Sequence, residues 1–64
     1  MKEYTAKQNE FLYIECEPHS GFTTSTGLRL VSNGGTLIGL PLGQYQSITC
    51  NKDFEIKKVI SYAD

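Results

Sequence analysis

The clearest alternation of apolar and polar positions lies at residues 10–16, in the stretch EFLYIEC. Alternate side chains of a strand point to opposite faces, so this stretch would place Leu12, Ile14 and Cys16 on one face and Phe11, Tyr13 and Glu15 on the other. Its aromatic and β-branched content favours a strand over a helix. We predict a strand with one face on the core, and with Phe11 and Tyr13 facing another layer or a partner.

Turn residues separate the next apolar runs. The stretch PHSG at 18–21 predicts a tight reversal, and FTTSTGLRLVS at 22–32 has the threonine content of a strand, with Gly27 as a possible bulge site. Asn33-Gly34 between apolar runs is typical of a type I′ hairpin turn. The sequence therefore predicts a hairpin that joins 28–32 to 36–40.

The second half of the chain predicts two further strands. After a break at Pro41 and Gly43, one strand would place Tyr45, Ser47 and Thr49 opposite Gln46, Ile48 and Cys50. The last segment, FEIKKVISYA, fits two periods. As a strand its shared face would hold Phe54, Ile56, Lys58, Ile60 and Tyr62, and as a helix its apolar stripe would hold Ile56, Val59, Ile60 and Ala63. Its β-branched content favours the strand.

These runs predict an all-β domain, a small antiparallel barrel or sandwich of about five strands, whose last segment has the helical alternative. Residues 1–9 form a polar N-terminal segment, interpreted as a frayed terminus or a short edge segment. Residues 10–64 form a single small β domain. A chain of 64 residues buries a small core, so we predict that it gains stability by association into a homo-oligomer.

Composition narrows the partners and the compartment. Six basic and seven acidic side chains give a net charge of −1, whereas general nucleic-acid binders normally carry a basic excess. Two cysteines, Cys16 and Cys50, and one histidine are too few for a four-ligand zinc site. We interpret the cysteines as two buried free thiols of a cytoplasmic protein, with a Cys16–Cys50 disulfide as the alternative. The sequence indicates neither a signal peptide nor a segment long enough to cross a membrane.

The stretch from Glu17 to Leu30 is the candidate site for an anion. Backbone amides of such a turn can bind phosphate, and the candidate residues are Ser20, Gly21, Thr23, Thr24 and Arg29. However, the stretch lacks the GxxxxGK[ST] pattern of a phosphate loop, and a turn that feeds a threonine-rich strand is the simpler interpretation. A nucleotide or oligonucleotide would use this turn together with stacking tyrosines.

The aromatic residues are the candidate contacts for a protein partner, because tyrosine is enriched at binding hot spots. With the loops 17–27 and 39–46, they predict a partner surface of His19, Phe22, Leu42, Tyr45, Phe11 and Tyr13. Packing in the core or at a subunit interface is the default interpretation of these rings, since a small core needs several of them.

Catalysis is not expected from this sequence. A nucleophile needs a positioned base with an orienting group, and His19 is the single histidine. We also expect no cofactor and no metal ion. The sequence therefore predicts a non-catalytic binding protein, an accessory or inhibitor-type module that docks on another macromolecule, with a nucleotide or oligonucleotide binder as the alternative. Chains of this size are common among phage-encoded and plasmid-encoded products.

Overall fold

The computed structural model describes residues 1–62, apart from the side chain of Ile38, and every regular element in that range is a strand. The strands are β1 (Glu3–Thr5), β2 (Glu10–Cys16), β3 (Ser20–Thr24), β4 (Arg29–Ser32), β5 (Gly35–Leu42), β6 (Ser47–Cys50) and β7 (Phe54–Ser61). They form a four-stranded sheet in the order β1-β6-β3-β4 and a three-stranded sheet in the order β5-β2-β7. All pairs are antiparallel, so the all-β class is confirmed.

The core lies between the inner faces of the two sheets. Its buried apolar members are Ala6, Leu12, Ile14, Phe22, Leu40, Leu42, Ile48, Cys50 and Phe54. The rings of Phe22 and Phe54 meet across the sheets at a centroid distance of 5.5 Å. Leu12 and Ile14 are fully buried, which confirms the two faces predicted for β2.

The described chain has seven strands where the sequence predicted about five. One addition is β1, which lies in the polar N-terminal segment and pairs with β6 at the edge of the four-stranded sheet. The other arises because 22–32 folds into two strands, β3 and β4, joined by a turn in which Thr24 Oγ1 accepts a hydrogen bond from Leu28 N. Gly27, the possible bulge site, lies in that turn with φ 93°, the left-handed conformation of the glycine in a G1 bulge.

The predicted hairpin between 28–32 and 36–40 is also wrong. β4 pairs with β3 in one sheet, whereas β5 pairs with β2 in the other. A type I′ turn needs positive φ at both central residues, but positive φ occurs here at Gly34 and Gly35 and not at Asn33. This connection therefore carries the chain from one sheet to the other.

The PHSG turn is a second crossover between the sheets. It connects β2 to β3, which lie in different sheets. The two crossovers touch, because a Cβ added to Gly34 would lie 3.1 Å from Pro18 N. A side chain at position 34 would collide with the other connection.

Backbone hydrogen bonds between Met1 and Phe54 also link the N-terminal segment to β7 of the other sheet. Met1 N donates to Phe54 O at 3.1 Å, and Phe54 N donates to Met1 O at 2.8 Å. This link places the start of β7 beside the N-terminal segment. The sandwich is therefore partly closed along this edge.

Both strands that flank β2 have a bulge opposite Tyr13. The register of β2 shifts next to Tyr13 against β5 as well as against β7, with Gly39 at φ 76° in β5. Two bulges at one level increase the local twist and bend the sheet. We therefore expect the three-stranded sheet to bend at Tyr13.

The bulge in β7 changes which residues share a face. Residues 54–61 form a strand as preferred, while Ala63 of the helical alternative lies outside the described residues. Phe54 pairs with Cys16 and Val59 with Leu12 on the inner side, whereas Ile60 pairs with outward Phe11. The single apolar face predicted for this strand is wrong, because the bulge at Lys57 and Lys58 reverses the alternation.

Candidate functional site

The outer face of the three-stranded sheet carries an exposed apolar surface, here called the aromatic face. Its members are Phe11, Tyr13, Pro41, Lys58, Ile60 and Tyr62. The register aligns Pro41, Phe11 and Ile60 in one row across the three strands. The side chains of Phe11, Ile60 and Tyr62 remain 37–39% exposed. Contiguous exposed apolar side chains make this face a candidate binding surface.

Ring contacts fix the geometry of the aromatic face. Phe11 and Tyr62 have ring centroids 4.7 Å apart with an interplanar angle of 36°. Lys58 Nζ lies 5.8 Å from the centroid of the Tyr13 ring, within reach of a cation–π attraction. The face therefore combines stacked rings with one cation held above an aromatic ring.

An acidic row borders the aromatic face. Glu15 of β2 lies directly opposite Glu55 of β7, and both side chains are exposed. Lys57 Nζ donates to Glu55 Oε2 at 3.2 Å. This hydrogen bond, and then the charges of Glu55 and Glu15, raise the pKa of Lys57. The two carboxylates thus share one lysine, which offsets part of their repulsion.

A concavity opens beside this acidic row. It is lined by Met1, Glu15, Cys16, Glu17, Asp53, Phe54 and Glu55. Within residues 1–62 no three histidine, cysteine or carboxylate side chains come close enough to hold a metal ion. Cys16 is half-buried and Cys50 is buried, and both are free thiols.

The outer face of the four-stranded sheet, here called the polar face, brings together part of the predicted anion site. Thr23 lies opposite Arg29 on one side and opposite Thr49 on the other. Gly21, in the next row, leaves a shallow concavity beside Asn51, whose Oδ1 accepts a 2.7 Å hydrogen bond from Gly21 N. Gly21, Thr23 and Arg29 thus share one surface.

The other two predicted anion ligands face inward. Ser20 is fully buried, and its Oγ donates to Glu17 O at 2.7 Å. Thr24 is buried too, and its Oγ1 contacts Thr26 Oγ1 and Leu28 N. Their hydroxyls stabilise turns and are not presented on the polar face.

The predicted partner contacts divide in the same way. Phe22 and Leu42 are core residues, each 1% exposed, so neither contributes to a surface. Leu40, in the same strand as Leu42, is also buried. Phe11 and Tyr13 belong to the aromatic face, and Tyr45 is exposed on a turn.

His19 and Tyr45 are the two non-glycine residues within 1–62 that have positive φ, each at 64°. Left-handed backbone is unfavourable for such side chains and is found preferentially at functional positions. Both side chains are exposed. Tyr45 lies at the same end of the sandwich as Tyr62. Tyr45 N donates to Ala6 O and Tyr62 N donates to Asn9 O, and both acceptors belong to the connection between β1 and β2.

Lys52 lies beside the turn that holds His19. Its Nζ donates to Pro18 O at 2.8 Å. Within the described residues His19 itself has no side-chain hydrogen bond or ion pair. The imidazole is therefore free to contact a partner.

Three members of the aromatic face, Lys58, Ile60 and Tyr62, were not among the predicted site residues. The sequence placed all three on one face with Phe54 and Ile56, and hence with the core. A bulge beside consecutive lysines leaves no distinct mark in a single sequence. Their pairing with the outward side of β2 becomes visible in the strand register.

Comparisons with known proteins add no identity to these surfaces. No protein-family model matches the chain, and neither curated proteins nor solved structures include a significant match. In the part of the chain that the structure describes, no helix is long and apolar enough to cross a membrane.

Proposed function

We propose that this chain is a non-catalytic binding domain that docks on a protein partner through its aromatic face. The observation that carries this proposal is the exposed Phe11–Tyr62 ring pair in a row with Ile60. Packing these rings against a partner would remove apolar area from water, at about 25 cal/mol per Å². Rigid aromatic side chains also lose little conformational entropy on binding.

The charges around the aromatic face support a protein partner. Lys58 lies over the Tyr13 ring, and the exposed pair of Glu15 and Glu55 lies in the neighbouring cross-strand row. Both signs on one face favour a partner with a matching charge pattern, since electrostatic complementarity mainly sets specificity. The carboxylates would repel a polyphosphate backbone. We propose that the protein acts as an accessory or inhibitor-type module in the cytoplasm.

Affinity capture tests this function. Immobilised wild-type protein is expected to retain a defined protein from a lysate of the host cell, identified by mass spectrometry. Phe11→Ser and Tyr13→Ser lie on the central strand and are expected to reduce the captured amount at least tenfold. Val31→Ser is the matched control, because Val31 is 79% exposed on the other sheet. Equal capture by all variants would refute docking through the aromatic face.

The polar face supports a second candidate, the binding of a phosphate or nucleotide. Arg29 is exposed and forms no ion pair within the described residues. It lies opposite Thr23, near Gly21, which has no side chain to fill the surface. Guanidinium and hydroxyl groups bind phosphate oxygens well. Tyr13 and Tyr62 lie on the other sheet and Tyr45 on a turn. The proposed ligand is therefore a small anion and not a stacked oligonucleotide.

Chemical-shift titration separates this candidate from the first. Inorganic phosphate and adenosine monophosphate are expected to shift the amide signals of Gly21, Thr23, Thr49 and Asn51. Arg29→Gln should abolish these shifts, and Lys57→Gln, which removes an exposed charge from the other sheet, should not. If the amides stay unshifted up to millimolar ligand, the polar face has no anion site.

A further inference from the structure

Strand β7 leaves part of its backbone unpaired at the edge of the three-stranded sheet. Tyr62 N donates to Asn9 O at 3.0 Å and so points toward β2. Backbone direction alternates along a strand, which turns the N–H and C=O groups of Val59 and Ser61 outward. Among residues 1–62 no backbone group pairs with this outer side.

The rest of the β7 edge is blocked. Met1 already pairs with Phe54, and the bulge at Lys57 and Lys58 interrupts the ladder. Bulges and lysines are common protections of sheet edges against pairing. The free portion is therefore restricted to the segment from Lys58 to Tyr62.

The other sheet edges are less suited to pairing. β5 contains Pro41, which has no N–H, and positive φ at Gly39. β1 and β4 are three and four residues long. The C-terminal half of β7 combines free backbone groups with exposed apolar side chains over five residues, a longer run than β1 or β4 provides.

We propose that two copies of this chain pair antiparallel through β7, with Ile60 facing Ile60 of the second copy on a two-fold axis. In this register Val59 of each copy exchanges both backbone hydrogen bonds with Ser61 of the other. Lys58 then lies opposite Tyr62 of the second copy. The result is a continuous six-stranded sheet.

The charges and rings of β7 are self-complementary in this register. Each Lys58 faces a tyrosine ring, with which a cation–π contact is favourable, and the two copies of Lys58 stay apart. Pairing about Val59 would place Lys58 opposite Ile60, and the bulge would leave Ser61 without a matching backbone group. The register about Ile60 therefore pairs the outward groups of both residues.

This association goes beyond docking and does not depend on it. The edge pairing leaves the outer faces of both sheets open, so the two aromatic faces would lie side by side on one surface. The interface is smaller than the standard size for stable complexes, so it corresponds to a weak dimer. We expect a dissociation constant in about the micromolar to millimolar range.

Analytical ultracentrifugation at chain concentrations from about 10 µM to 1 mM tests the dimer. This range is used because small interfaces bind weakly. The wild type is expected to shift from monomer to dimer across it. Ser61→Pro removes an outward N–H, which the monomer does not use, and should keep the chain monomeric while its circular dichroism spectrum is retained. Val31→Ser should dimerise like the wild type. A wild type that stays monomeric throughout, or a folded Ser61→Pro variant that dimerises equally, would overturn the proposal.

Cysteine cross-linking tests the register, even where Ser61→Pro fails to fold. The background is Cys16→Ser, which removes the more accessible thiol. Facing residues of a non-hydrogen-bonded pair have Cα atoms about 4.5 Å apart, within the range of a disulfide. Ile60→Cys should therefore cross-link with itself. Lys58→Cys and Tyr62→Cys should cross-link with each other and not with themselves, and any other pattern would refute the register.

Both tests are independent of the partner protein. Phe11→Ser and Tyr13→Ser lie outside the β7 edge and should leave dimerisation within twofold of the wild type. Loss of capture with an intact dimer would separate the docking surface from the edge. If Phe11→Ser and Tyr13→Ser lost dimerisation as well as capture, the dimer would lie on the aromatic face, against the proposed edge pairing.

Discussion

Tyr4 Oη donates a 2.6 Å hydrogen bond to Glu10 Oε1 and so links β1 of one sheet to β2 of the other. Glu10 is only 6% exposed, so this phenol satisfies a buried carboxylate. The hydrogen bond, then burial and the charge of Glu10, raise the pKa of Tyr4 to about 12. The phenol is therefore a structural link that strong base should break.

Removing the Tyr4 hydroxyl should destabilise the fold. We expect Tyr4→Phe to lower the free energy of unfolding by about 1–3 kcal/mol, the usual cost of a buried polar group that loses its partner. Urea denaturation followed by circular dichroism measures this change. Tyr45→Phe is the matched control, since Tyr45 is 73% exposed, and should be neutral. Equal stability of Tyr4→Phe and wild type would contradict the link.

The same pair predicts a pH dependence at high pH. The pKa of Tyr4 is about 12 in the folded chain, against 10.0 for an ordinary tyrosine. Its stabilisation is fully present below pH 10 and is lost as the pH rises toward 12. The stability difference between wild type and Tyr4→Phe should shrink across this window. A constant difference would argue against the shifted pKa.

Two glycines should respond differently to alanine. Gly27 and Gly34 both have positive φ, at 93° and 105°, but only the Cβ at Gly34 would meet other atoms, those of Pro18. Gly27→Ala should cost about 1–2 kcal/mol from backbone strain. Gly34→Ala should cost more, because the crossover must also shift. Gly21→Ala, with ordinary φ and a 3.8 Å contact to Asn51, is the control for thermal unfolding.

Relief of left-handed strain should stabilise the chain at the expense of binding. We expect His19→Gly and Tyr45→Gly to raise the free energy of unfolding by up to about 1 kcal/mol, because glycine adopts positive φ without a Cβ penalty. Tyr45→Ala keeps the strain and should show no gain. If capture of the partner falls in the glycine variants, the strained positions contribute to docking. Unchanged capture would confine them to turn geometry.

The two thiols should differ in reactivity. Half-buried Cys16 should react with DTNB in the folded protein, whereas buried Cys50 should react only after unfolding. Cys16→Ser should remove the fast phase and leave the slow one. Two fast phases in the native protein would show that Cys50 is more accessible than the structure describes.

The sequence predicted local faces better than it predicted connections. The alternation in β2 located buried Leu12 and Ile14, and the β-branched content assigned residues 54–61 to a strand. The hairpin at Asn33-Gly34 failed because turn propensity does not specify which strands the turn connects. The crossover there depends on packing between two sheets, which no single stretch contains.

The candidate site was predictable to a similar extent. Aromatic content pointed to Phe11 and Tyr13, and the Gly/Thr stretch pointed to Gly21, Thr23 and Arg29. Phe22 and Leu42 were misplaced because burial in so small a domain depends on which sheet each strand joins. Ile60 and Tyr62 were missed because the bulge reverses their face.

The crossovers also bear on how the chain reaches its native state. Among the strands of residues 1–62, five of the six connections pass from one sheet to the other, and only β3 and β4 are joined as a hairpin within one sheet. Local contacts speed folding, whereas distant pairings delay it because the chain must first close long loops. The β3–β4 hairpin is thus the one nucleus available at short range. The remaining strands must assemble together, which makes slow, all-or-none folding kinetics the expected signature of this topology.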